Sequence, residues 1–137
     1  MILIIRISGM VDVPEKIENA LFRLRLRRKY SAVLIEDSPF NEKLLKKIRN
    51  YISYGRVSEK MIEKLVTARG EGINSKKIDV KKVLESLGKK KAEELGIKPF
   101  FRLHPPRGGI ESKKHVGVGK GVLGHNKKID ELLGRML

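Results

Sequence analysis

Short apolar runs alternate along the chain with longer stretches of helical spacing. Ile2 to Ser8 is almost continuously apolar and breaks at Gly9, which predicts a central strand covered on at least one face. Asp12 and Pro14 mark a helix start, since a proline in a first turn has no hydrogen bond to lose. Ile17, Ala20, Leu21 and Leu24 fall at three- and four-residue spacing and give that helix one buried face. The run Ala32 to Ile35 lies between Tyr30-Ser31 and Glu36-Asp37-Ser38-Pro39 and reads as a buried strand. Ser38-Pro39 opens a second helix, with Leu44, Leu45 and Ile48 inward and Lys43, Lys46, Lys47 and Arg49 outward. Tyr51-Ile52-Ser53-Tyr54 alternates and ends at Gly55, which predicts a third strand. The order β-α-β-α-β, with each helix on one face of a small, largely antiparallel sheet, is an α+β two-layer sandwich.

The second half is patterned differently. Ser58 caps a third helix with Met61, Ile62, Leu65 and Val66 as its stripe, ending near Arg69-Gly70. After a Gly70-Glu71-Gly72 loop, a lysine-rich helical stretch runs from Asp79, with Val80, Val83, Leu84 and Leu87 inward and Gly88 as its stop. A shorter helical piece covers Ala92 to Leu95, and Ile97 to Leu103 reads as another strand. From His104 to Lys128 apolar residues are too sparse and aperiodic for an ordinary buried element, and six glycines and six fixed cations take their place. Ile129, Leu132 and Leu133 then resume a helical period that docks back on the core. The division expected is a core over 1–57 and an extension over 58–137 packed on it, with a basic glycine-rich loop at 104–128.

Charge sharpens this picture. The 137 residues fit one domain, which buries roughly two thirds of its unfolded surface. Thirty-one Lys and Arg against 16 Asp and Glu leave a net charge of +15. A folded cation of this strength repels itself unless a polyanion neutralises it, and nucleic acid is the usual partner. An anionic membrane surface would want the cations on one amphipathic helix or in one block, and here they are spread along the chain. The chain has no cysteine, which excludes disulfides and Cys-based zinc sites. Arg6 interrupts the apolar start well short of a signal-peptide core, and no run reaches the ~18 apolar residues of a membrane span, so a soluble, cytosolic protein is expected.

Two stretches carry the candidate chemistry. Leu24 to Pro39, LRLRRKYSAVLIEDSP, places Arg25, Arg27, Arg28 and Lys29 on the tail of a helix just before a buried strand, with Arg23 and Arg27 on one helix face. Such charges cannot enter the sheet unpaired, so they form a compact patch at the corner. Phe101 to Gly109, FRLHPPRGG, combines a backbone stiffened by Pro105-Pro106 with Gly108-Gly109, where a main chain can approach closely, and offers Arg102, His104 and Arg107 to phosphates or bases. The alternative, a stiff solvent loop, leaves the ordering entropy of a long glycine-rich cationic segment without return, so the loop is expected to be ordered by a polyanion. Gly119 to Gly124 matches G-x-G-x-x-G, but too little chain follows for a dinucleotide-binding unit. His104, His115 and His125 lack metal-ligand spacing. The seven aromatics do not form the strand signature of an RRM. No nucleophile–base set or P-loop occurs, so no enzyme, cofactor, metal or small-molecule substrate is expected. The competing class is a free-standing regulatory module whose charge docks acidic partners.

The basic corner, the strand and helix before it, the Tyr51-Ile52-Ser53-Tyr54-Gly55 segment and the FRLHPPRGG block together resemble large-subunit ribosomal protein thirty. The match is to its longer archaeal form, which is also the core of the eukaryotic protein L-seven. The shorter bacterial version carries a similar corner but stops after the third strand. Ser38 stands here between Asp37 and Pro39, where some members have Thr. Arg69-Gly70-Glu71-Gly72-Ile73-Asn74 and Lys114-His115 through Gly124 are similar to the archaeal and eukaryotic extension. The resemblance implies a ferredoxin-like β-α-β-α-β fold and a structural role on large-subunit, 23S-type rRNA in the cytoplasmic ribosome. It also implies an extension reaching toward the 5S RNA, and neighbouring ribosomal proteins as partners. Charge and loop position give the expected RNA contacts: Arg23, Arg25, Arg27, Arg28, Lys29, Lys47, Arg56, Arg69, Arg102, His104, Arg107, Lys113, Lys114, His115, Lys120 and His125.

Overall fold

The computed structural model describes residues 2–9, 13–36, 38–70, 100–110, 112–115 and 121–137, with the backbone alone for 112–115 and 122. Strand β1 (Ile2–Arg6) is buried at all five positions, so it needs strand neighbours on both edges and cover on both faces. β2 (Ser31–Ile35) and β3 (Ile52–Arg56) supply the edges, both antiparallel to β1, with Ile4 opposite Val33 on one side and Tyr54 on the other. Helix α1 (Glu15–Arg23) joins β1 to β2, and α2 (Pro39–Ile48) crosses from β2 to β3. This is the expected β-α-β-α-β order, consistent with a ferredoxin-like core. The caps are also the expected ones. Ser38 Oγ accepts from the Asn41 N–H at 3.2 Å with Pro39 next to it, and Ser58 Oγ accepts from the Met61 N–H at 3.4 Å.

The remaining elements are α3 (Glu59–Arg69), β4 (Phe101–Arg102), β5 (Ser112–His115), β6 (Gly121–His125) and α4 (Ile129–Met136). They extend the sheet to six strands in the order β4-β2-β1-β3-β6-β5. β4 runs antiparallel to β2, and β6 runs parallel to β3. Strand alternation sorts the apolar residues into two cores. Ile2, Ile4, Val33, Ile52 and Tyr54 pack with Leu21, Leu26, Leu45 and Ile48 under α1 and α2. Leu3, Ile5, Ile7, Ala32 and Leu123 pack on the opposite face with residues of α3 and α4, among them Leu65, Ile129 and Leu133. The near-continuous hydrophobicity of β1 thus reflects cover on both faces.

Several expectations change. The basic stretch 25–29 is not a helix tail, because α1 ends at Arg23 and residues 24–30 form a loop. Residues 121–125 form β6 although apolar residues are sparse there, since a strand beside the core edge needs only Leu123 inward once its backbone is paired. The second half of the G-x-G-x-x-G match lies within that strand rather than at a strand-to-helix turn. Gly55 does not end the third strand. A Cβ there would sit 2.2 Å from the Asn126 carbonyl oxygen and 3.2 Å from Ile129 Cγ2, so glycine lets the β6–α4 turn lie against β3. Of the strand expected over 97–103, residues 100–103 are described, and Phe101–Arg102 alone among them form a strand, β4. The helical stretches expected between Asp79 and Leu95 lie outside the described residues, as does Asp12. No helix among the described residues is long and apolar enough to cross a membrane.

Candidate nucleic-acid interface

The basic corner is built by the way α1 stops. The Leu26 N–H donates to the Leu21 carbonyl at 2.9 Å and the Arg25 N–H to the Phe22 carbonyl at 3.0 Å, the pair of bonds of a Schellman closure. That closure needs a left-handed residue, and Arg25 supplies it at φ 66° where glycine is usual. Leu26 and Leu21, both fully buried in one core, form the apolar contact that accompanies it. Arg23, as the last helical residue, therefore does not share a helix face with Arg27. Arg25, Arg27, Arg28 and Lys29 are exposed on the loop around this buried leucine, and the Lys29 ammonium lies 5.0 Å from the centre of the Tyr30 ring. Tyr30 is the second left-handed residue, at φ 64°.

Arg6, in sequence a break in an apolar run, holds this loop from below. Its side chain is fully buried. Nη1 donates to the Leu26 carbonyl at 2.6 Å, Nε to that of Ser8 at 3.0 Å and Nη2 to that of Gly9 at 3.1 Å, while the Tyr30 N–H donates back to the Arg6 carbonyl at 2.7 Å. Burial pulls the guanidinium below its ordinary range and the Glu18 carboxylate pushes it back up; arginine stays charged throughout. A buried cation is tolerable here because carbonyl oxygens accept hydrogen bonds from its N–H groups. A charged residue inside an otherwise apolar strand was the available signal.

The second informative stretch lies beside the first. β4 pairs with β2 so that Arg102 stands opposite Ser31, and the Leu103 N–H donates to the Tyr30 carbonyl at 3.0 Å. Arg102 is exposed, its guanidinium carbon 5.6 Å from the centre of the Phe100 ring. The loop that follows is tied to the end of α4. The His104 N–H donates to the Met136 carbonyl at 3.2 Å, the Arg107 N–H to the Arg135 carbonyl at 3.0 Å, and Arg135 Nη2 to the Gly109 carbonyl at 3.1 Å. His104 turns its ring nitrogens to the main-chain oxygens of Pro105 and Leu137, so its ring secures the loop. The expected lack of hydrophobic anchoring does not hold for this segment, because Pro106 is buried and Leu103 and Ile110 pack on the α3–α4 core. Gly108 and Gly109 also serve otherwise than expected. Nothing lies within 4 Å of a Cβ at either, and it is φ of 78° and 75° that requires glycine. The Gly109 N–H closes the turn on the Pro106 carbonyl at 3.0 Å.

The structure thus brings Arg25, Arg27, Arg28, Lys29, Arg102 and Arg107 to one end of the sheet, near the edge strand β4, with the unforeseen Arg135 beside them. The other expected contacts are elsewhere. Arg23 and Lys47 are exposed in the last turns of α1 and α2, and Arg69 is half-buried at the end of α3. Lys113, Lys114 and His115 belong to β5, at the far edge of the sheet. Arg56 and His125 are exposed at the opposite end of β3 and β6 from the corner. Lys120 lies outside the described residues.

A family model described as ribosomal protein L30p/L7e matches residues 2–52, which hold β1 and the whole basic corner. Over nearly the full chain the sequence is similar to proteins named large ribosomal subunit protein uL30. That of Aeropyrum pernix is 38% identical, covering 98% of this chain and 97% of its own. That of Archaeoglobus fulgidus is 33% identical with 99% of each covered, and that of Methanobrevibacter smithii 34% identical with 100% of each covered.

Proposed function

Because the chain belongs to the uL30 family of large ribosomal subunit proteins, and so is a structural, non-enzymatic component of the ribosome, we propose that it stabilises folded large-subunit rRNA through the cationic end of its sheet. The observation that carries this reading is the pairing of β2 with β4, which joins two basic stretches some seventy residues apart into one exposed surface. The backbone of that surface is set before any ligand arrives, by the Schellman closure, the Arg6 guanidinium and the loop's bonds to α4. Binding then loses little entropy in ordering the cations, and the favourable term is release of counterions from the phosphates they replace. In this reading a 23S-type RNA takes the corner and the extension lies toward the 5S RNA. The family resemblance, together with the six cations between 104 and 128, supports that placement.

Titrating large-subunit rRNA with the full chain over a series of salt concentrations tests the proposal. Affinity is expected to fall steeply with salt, and Arg27→Ala with Arg28→Ala is expected to lower the slope of log K against log salt by about 2. The double variant should unfold at the parent's denaturant midpoint. Affinity indifferent to salt, or a double variant binding like the parent, would overturn the proposal.

A further inference from the structure

A cleft of about 560 Å³ opens at the Ile2–Arg56 end of the sheet, the end away from the basic corner. Five residues of β1 separate the two ends, roughly 13 Å at ~3.3 Å per residue. The cleft exists because β6 continues the sheet past β3 while α4 returns to the opposite face. Gly124 makes the site. Its φ of 86° resets strand alternation, so Leu123 enters the α3–α4 core while His125, two residues on, meets Tyr54 on the other face. The two rings stand edge to face, centres 5.6 Å apart at 76°, with Tyr54 buried and His125 exposed. The exposed Lys46, Arg56 and Lys127 surround them, and one carboxylate, Glu42, lies among these cations.

We propose that this cleft takes a single unpaired nucleotide of RNA, its base against the His125 ring and its flanking phosphates on Lys46, Arg56 and Lys127. The inference rests on the reading of the protein as an RNA binder and adds a second site with a different ligand form. The volume lies within the ~300–1,000 Å³ of small-ligand clefts. A base-paired helix keeps its bases stacked inside and offers a convex row of phosphates, which a concave site with a ring in it does not fit; a splayed base does. Glu42 discriminates further. Its carboxylate accepts a hydrogen bond from the exocyclic amino group of adenine or cytosine on the base edge, where uracil presents a carbonyl oxygen and keeps its one donor at the ring N3–H.

The test uses the full chain and fluorescein-labelled single-stranded hexanucleotides of adenosine, cytidine or uridine, followed by anisotropy at low salt. The adenosine and cytidine probes should bind several-fold tighter than uridine. His125→Ala should weaken both roughly tenfold, the scale of one lost base stack. Glu42→Ala should remove the preference over uridine. Lys127→Ala, on an exposed side chain, should weaken all three probes and guards against misfolding of the ring variant. Arg27→Ala with Arg28→Ala should retain the base preference. Equal binding of the three probes, a His125→Ala protein that binds like the parent, or displacement of the probes by a polyglutamate peptide as readily as by RNA would overturn the inference. A parent that binds rRNA while its cleft ignores base identity defeats this inference alone, whereas failure of the parent to bind rRNA defeats the proposed function.

Discussion

Position 55 has no room for a side chain: its Cβ would lie 2.2 Å from a backbone oxygen of the β6–α4 turn, and neither strand nor turn can yield without breaking pairing. Gly55→Ala is therefore expected to destabilise the protein by about 1–3 kcal/mol, the usual range for overpacking, as a lower urea midpoint with an unchanged slope. A midpoint equal to the parent's would mean that the turn does not lie against β3 as described. Tyr54, one residue earlier, offers a pH test. Burial pushes its phenol above the usual 10.0, the Glu42 carboxylate adds to that, and the Arg49 cation opposes it. A proton held more tightly in the fold than in the unfolded chain makes the associated stability complete below pH 10 and progressively lost as pH rises through the folded value. Above pH 10 the parent's urea midpoint should fall faster than that of Tyr54→Phe, which has no such proton to release. Parallel curves would count against the burial. Neither effect was legible from the sequence. Gly55 read as a strand end, because which backbone approaches it is decided by residues seventy positions away.

The corner loop meets a structural demand with an unusual residue. Its left-handed residue is an arginine, although a Schellman closure favours glycine. Holding a side chain in that region costs on the order of 1 kcal/mol, which glycine avoids. Arg25→Gly is thus expected to leave stability equal or raise it by up to about 1 kcal/mol while weakening rRNA binding. Thermal melting and binding measured on the same preparation check it, and parallel losses in both would show that Arg25 holds the fold rather than the RNA. The cations and the strand beside them were plain in the sequence, since charge and apolar runs are local properties. The helix end was misplaced because the left-handed position that stops α1 is filled by Arg25 instead of the glycine that marks such a stop in a sequence, while Leu26 is buried from the loop.

In the whole molecule, the two halves share β1. Leu3, Ile5 and Ile7 are fully buried by residues of the extension. A chain cut after residue 57 would expose these side chains, each worth about 1.5–3 kcal/mol of burial, on one flat sheet face. The fragment is expected to self-associate or to lose cooperative unfolding, seen by sedimentation and by the breadth of its denaturation curve. A monomeric fragment unfolding as sharply as the parent would mean that the core over 1–57 does not depend on its extension.

The sequence by itself determined the alternation of the first three strands with two helices, the serine caps of α2 and α3, the surplus of cations and the two stretches in which they gather. All of these arise from interactions within a few residues or from the sum of charge. Only the tertiary structure decided that the second sheet face is closed by α3 and α4, that a buried Arg6 holds the corner, and that β4 sets Arg102 opposite Ser31. It also decided that β6 opens a cleft at the far end. Each of these depends on strand order and register, which bring together residues that no local pattern relates.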